Sequence, residues 1–230
     1  MTKSTKIYFI ILDLFFIGAL ALGIVCMNSV TGEKNPDKEL EKNDSISFSL
    51  EEDMYNPYFI NTSTCELEAL EEVAEVIVVV SIGEEREMKL CSTKSQVKVE
   101  KILKQKDSSI LEGQKIWIEE PATITVGRSF STDGYQLMKN GQRYILFLKH
   151  LPCMDGYQYS RTEKNTFTLV SEYYGKFCVT EKEKIELLKN DTKDELLYRE
   201  VSDYALFTEN QDKVDTYQKL YKEVMSKWNQ

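Results

Sequence analysis

Side chains suited to acid, base or nucleophilic work are few in this sequence. It contains a single histidine, His150, so a site built from several imidazoles is excluded, and no nucleophile motif accompanies it as a general base. Glu119 and Glu120 are adjacent in a run that reads as strand. Successive strand side chains point to opposite faces, so these two cannot work as a carboxylate pair. Neither glycine-rich phosphate-loop pattern occurs. Asp133-Gly134 and Asp155-Gly156 are turn chemistry and offer too few oxygens for calcium. Of five cysteines, Cys26 lies in an apolar run, while Cys65, Cys91, Cys153 and Cys178 are separated by 26, 62 and 25 positions. Structural zinc draws on closely spaced cysteine pairs, whereas four thiols in an oxidising compartment suit two disulfides, with three alternative pairings. One arrangement places Cys91 and Cys178 inside a barrel on neighbouring strands, at the ~5.5 Å Cα separation of a bridge. In the other the cysteines are small buried hydrophobes. No catalytic residue, metal ligand or cofactor site is assigned.

The elements that would position these residues begin with an apolar stretch. Residues 7–27 are interrupted by one charge, Asp13, and as a helix would extend roughly 31 Å, about the thickness of a bilayer's hydrocarbon core. Lys3 and Lys6 precede it, so the positive-inside bias keeps residues 1–6 cytoplasmic and exports the rest. The reading is a single-pass signal-anchor. The alternative is secretion after cleavage near Ala21, because Ala19-Leu20-Ala21 offers the small-x-small pattern of signal peptidase. Residues 28–64 are polar, with apolar residues only in small clusters such as Ile46, Phe48 and Leu50, and read as a tether.

From Cys65 the pattern is that of a folded domain, extending to residue 179. Leu67, Leu70, Val73 and Ala74 recur at helical spacing. Val76 to Ile82 is a continuous β-branched run, expected as a strand buried on both faces or closed into a barrel. Further strands are predicted over Met88–Leu103, Lys115–Glu119, Arg143–Leu148 after an Asn140-Gly141 turn, Thr166–Val170 and Lys176–Val179. About five long strands with an entrance helix suit a small closed antiparallel barrel, since closure removes unpaired edges. Residues 180–230 read as helical. Thr180 and Glu183 form a capping-box pattern over a helix to Lys189, and from Asp212 Val214, Tyr217, Tyr221, Val224, Met225 and Trp228 form an apolar stripe expected to pack on the barrel.

This order of elements, with the segment Leu137-Met-Lys-Asn-Gly-Gln-Arg-Tyr-Ile-Leu-Phe-Leu-Lys149, resembles netrin-like domains. These are the OB-fold barrels of tissue inhibitors of metalloproteinases and of bacterial extracytoplasmic relatives. The resemblance spans Cys65 to Val179 and implies a five-stranded OB-like antiparallel barrel serving as an interaction module without chemistry of its own. Zinc-directed protease inhibition in that family needs a free N-terminal cysteine in a C-x-C pair. Here Glu66-Leu67 follows Cys65, so that activity is not carried over. By analogy with other OB folds, the binding loops would be Gly83–Glu87 and Pro152–Asn165. The second carries Tyr157, Tyr159 and Arg161, residue types enriched in interfaces.

Charge narrows the partner. The chain has 29 Lys and Arg against 38 Asp and Glu, a net charge of −9. Nucleic-acid binding lacks its electrostatic footprint, and anionic lipid or polymer is equally disfavoured. The expectation is a membrane-tethered extracytoplasmic module that binds a protein or envelope component and uses no cofactor. The alternative is a secreted or anchored hydrolase with a carboxylate site that no motif reveals.

Overall fold

A computed structural model describes residues 12–23, 34–51, 65–106, 110–125, 127–132, 134–151, 153, 156–180, 184–187 and 196–228. The chain divides into two units, Met1–Lys34 and Asn35–Gln230. In the first, residues 12–23 are helical (α1) and expose Leu14, Phe15, Phe16, Ile17, Leu20 and Leu22. Among the described residues no helix is long and apolar enough to cross a membrane. Residues 7–11 and 24–27 of the expected span lie outside them.

The second unit is mainly β. Its centre is a closed barrel of five strands: β2 (Val76–Met88), β3 (Thr93–Gln105), β4 (Lys115–Glu120), β8 (Thr166–Leu169) and β7 (Arg143–His150). Neighbours follow in the order β2-β3-β4-β8-β7, and β7 returns to β2 from Val76↔Leu148 to Ser81↔Arg143. The barrel is not wholly antiparallel as expected. β4 and β8 run parallel, Trp117 opposite Thr166 and Glu119 opposite Thr168. The short β9 (Lys176–Cys178) continues the sheet beside β7.

Alternation explains how one strand serves two cores. Val76, Val78 and Val80 point inward with Val97, Val99, Ile116, Ile118, Leu146 and Leu148, whereas Ile77 and Val79 point outward with Ile145 and Phe147. The outward set is covered by α3 (Leu67–Val73) through Leu67 and Leu70, and by α5 (Gln211–Trp228) through Tyr217, Leu220 and Val224. The β-branched run is therefore buried on both faces, and the C-terminal stripe packs on the barrel.

Three stretches differ from expectation. The described part of the expected tether, residues 34–51, is folded: α2 (Pro36–Lys42) and β1 (Ser47–Glu51) belong to the body, and Ile46, Phe48 and Leu50 are buried core residues. β1 lies parallel to β6 (Arg128–Thr132), which pairs in turn with β5 (Ala122–Thr125); alternate apolar residues in a polar run are what a short one-faced strand requires. Gly83–Glu87 is not a loop. It continues β2, with a register shift between Ile82 and Arg86. A Cβ at Gly83 would sit 2.8 Å from the Gln96 carbonyl oxygen, so this glycine marks a close backbone approach at a bulge rather than a strand end. Finally, the helix expected from Thr180 is absent over its described part. Lys184–Leu187 is β10, paired in parallel with β11 (Tyr204–Thr208), and the Thr180 hydroxyl accepts the Arg143 N–H at 2.7 Å instead of capping. Sheet pairing here overrides local helix propensity. A short helix, α4 (Tyr198–Val201), precedes β11.

Candidate functional site

At the barrel end where β2 and β4 finish and β3 begins, the inward-facing row turns polar. Ile116, Ile118 and Glu120 share one face of β4, and all are fully buried. Burying a carboxylate without partners costs several kcal/mol, and Glu120 has four. Arg86 Nη2 donates to Oε1 at 2.9 Å and the Ser95 hydroxyl donates to the same oxygen. The Tyr135 hydroxyl and the Met138 N–H donate to Oε2 at 2.8 and 2.7 Å. The bulge in β2 aims Arg86 at this point. Its Nε donates to Ser95 Oγ at 3.0 Å, and Nη1 donates to Asp37 Oδ1 at 2.9 Å. Burial opposes the arginine's charge, but Glu120 and Asp37 outweigh it and lift its pKa above the ordinary value. Burial, followed by the Glu120 charge, pushes the Tyr135 phenol up. Burial also raises Tyr198, against the pull of Arg86, so both phenols keep their protons.

Asp37 comes from α2, whose start is well specified. Asn35 accepts the Asp37 N–H at 2.9 Å, Pro36 occupies the first turn and Lys42 the last. So short a helix is stable only when docked, and Asp37 docks it through Arg86 and through Asn140, whose amide donates to Oδ2 at 3.1 Å. Between α2, the Leu137–Asn140 loop and α4 lies a cavity of about 340 Å³. Arg86, Asp37 and Tyr198 contribute its polar interior; Leu40, Ile46, Leu137 and Met138 form an aliphatic wall; Asp44 and Arg199, both exposed, also border it. The volume falls within the roughly 300–1,000 Å³ of small-molecule sites.

The residues singled out from sequence lie elsewhere. Tyr157, Tyr159 and Arg161 occupy the loop between β7 and β8. Its bonds close on itself: Tyr157 Oη donates to Glu163 at 2.7 Å, Tyr159 to the Leu151 carbonyl, and the Ser160 N–H to Glu163 at 2.8 Å. Tyr157 is half exposed and Arg161 exposed. His150 packs on Phe167, with Nδ1 2.5 Å from Glu75 and Nε2 3.1 Å from the Lys164 carbonyl. A ring held between two acceptors is a positioned structural group. Cys65, Cys91, Cys153 and Cys178 are free thiols. Cys91 is exposed in the turn between β2 and β3, not inside the barrel beside Cys178. Cys65 lies in the outer core and Cys178 in the inner one. Among the described residues no group of three or more His, Cys, Asp or Glu side chains is placed to hold a metal.

Sequence reasoning treated Glu119 and Glu120 as a pair to be dismissed and missed that one of them is a core residue. The signal was available in the parity of Ile116, Ile118 and Glu120. Arg86 keeps the parity of Val76, Val78 and Val80, but it lies past a bulge of two extra residues after Ile82 and among the exposed Glu84, Glu85 and Glu87, so nothing in the local pattern marked it as buried. No protein-family model matches the chain, and no curated protein matches it in sequence.

Proposed function

We propose that the protein is a membrane-tethered extracytoplasmic binding module, with an OB-like barrel of the netrin type, that recognises a protein or envelope component. The observation that carries this reading is the cavity over Arg86. Its polar groups are fixed in advance by bonds to one another, as a recognition site requires. Glu120, the deepest carboxylate, accepts four hydrogen bonds and has no lone pair directed at a substrate, which weighs against the hydrolase alternative. The strand order β2-β3-β4-β8-β7 with its parallel β4–β8 closure supports the OB assignment. The apolar residues exposed around α1 support a place in lipid.

Cys91 and Cys153 are exposed and provide the test of location. A membrane-impermeant maleimide added to intact cells labels both if the module is extracytoplasmic, and the labelled chain stays in the membrane pellet after alkaline carbonate. Labelling only after lysis, or release by carbonate, overturns the reading. A photo-crosslinking residue placed at Asp44 is expected to trap an extracytoplasmic component, with capture lost when Leu40→Trp fills the cavity. Capture insensitive to that substitution removes the cavity from the function.

A further inference from the structure

Arg86, Asp37 and Lys139, three of the charges at the cavity, each have an opposite charge at hand. Arg86 is bonded to Asp37 and Glu120 at 2.9 Å, and Lys139 to Asp203 at 2.5 Å. Asp44 and Arg199 supply one charge of each sign beside it. An anion entering would meet a guanidinium already holding two carboxylates, and a cation would meet that same buried guanidinium. In the buried interior an ion therefore meets only charges that are already paired, and desolvating it there would go uncompensated.

The cavity offers directional neutral chemistry instead. The Asp37 carboxylate and the Asn140 amide are held side by side by their 3.1 Å bond, an acceptor and a donor in fixed relation. The Tyr198 hydroxyl and the Ser202 hydroxyl, which donates to the Arg199 carbonyl at 3.3 Å, add further polar oxygens. Opposite them stand the aliphatic side chains of Leu40, Ile46, Leu137 and Met138. Hydroxyl groups both donate and accept, so vicinal hydroxyls match adjacent acceptors and donors, while the C–H face of a sugar ring suits an aliphatic wall. An extended peptide would need a strand edge or a long groove. Here the lining comes from two short helices, a turn and a loop.

Resting on the binding-module reading above, we propose that this cavity is a site for a neutral saccharide unit of an envelope glycan, held between the Asp37–Asn140 pair and the aliphatic wall.

The test uses the full chain in an amine-oxide detergent, which has no sugar headgroup, titrated calorimetrically with N-acetylglucosamine, its β-1,4-linked tetramer, mannose and galactose. Glucosamine and glucuronate serve as charged counterparts. At least one neutral sugar is expected to bind saturably below about 20 mM, with the charged counterparts weaker by about tenfold or more. Asn140→Asp replaces the donor beside Asp37 by a second acceptor and is expected to weaken binding about tenfold; Leu40→Trp, checked for an unchanged melting temperature, abolishes it. Equal or tighter binding of a charged counterpart, no neutral sugar bound across that range, or affinity indifferent to both substitutions overturns the proposal. If sugars fail while the Asp44 photo-crosslink still traps a component in a Leu40-dependent way, the saccharide is wrong and the binding module stands. If both fail, the module reading falls with it.

Discussion

Glu119 and Glu120 show how completely environment separates two identical side chains. Glu120 is fully buried under four donors, whereas Glu119 meets Lys89 at 2.5 Å in a pair whose lysine is 43% exposed. Removing one partner of a buried, hydrogen-bonded pair leaves an uncompensated charge, so Glu120→Ala is expected to cost about 3–5 kcal/mol in urea unfolding. Glu119→Ala breaks a screened pair and is expected to cost less than about 1 kcal/mol. Similar losses at the two positions would contradict the network. Cysteine chemistry divides in the same way. Burial first, then the Glu66 charge, raises the Cys65 thiol from 9.0 to about 11. The folded state thus favours the protonated thiol. Its contribution to stability is whole below about pH 9 and is lost as pH rises towards 11. In native protein at pH 8, maleimide is expected to modify Cys91 and Cys153 within the time that leaves Cys65 and Cys178 unmodified, as read by mass spectrometry. Rapid modification of Cys65 would show that its burial is incorrect.

At the scale of elements, the β-hairpins, loops and short helices are fastened by backbone contacts that tolerate little change. Gly134 has φ +71°, and a Cβ there would lie 1.7 Å from the carbonyl oxygen of Phe207 in β11; its own carbonyl accepts the Phe207 N–H at 3.1 Å. Gly141 also has positive φ, +80°, but faces open space. Gly141→Ala is expected to cost only the left-handed backbone term, roughly 1–2 kcal/mol. Gly134→Ala must also displace β11, with a loss of ~4 kcal/mol or failure to fold; equal melting temperatures for the two variants would refute the contact. From sequence, Asp133-Gly134 was legible only as a turn, because the strand it touches lies more than seventy positions away. The same limit explains what else was and was not readable. Periodicity revealed β2, β3, β4, β7, β8 and the C-terminal helix, since each carries its burial pattern in consecutive residues. It did not reveal α2, β1 or β10, which are short and owe their conformation to partners distant in the chain. The candidate site was invisible for that reason: Asp37, Arg86, Glu120 and Asn140 belong to four separate elements, which meet only when β2 and β4 flank β3 and α2 docks on them.

For the whole molecule, the important fact is that β2 and β7 line both apolar clusters. Val78 and Leu146 fill the inner one while Ile77 and Phe147 fill the outer one, so neither core survives loss of the shared wall. The chain's two tryptophans report on different elements. Trp117 lies on β4, and Trp228 at the end of α5 packs on Phe147 with ring centroids 5.6 Å apart. Fluorescence of Trp117→Phe and Trp228→Phe proteins, each with one reporter left, is expected to give coincident urea midpoints once each variant's own stability loss is set from circular dichroism. A helix that melts before the barrel would separate them. The ordered stretch ahead of Cys65 carries a practical warning of another kind. Anyone dissecting the gene at the boundaries its amino-acid pattern suggests would begin at residue 65 and end near 179. The fragment would lack Ile46, Phe48 and Leu50 from its interior, Asp37 from its arginine, and the helix over its outer face. The smallest piece that retains its own lining runs from Asn35 to Trp228, so proteolytic trimming of the folded protein should stop close to those two residues rather than at the barrel's edges.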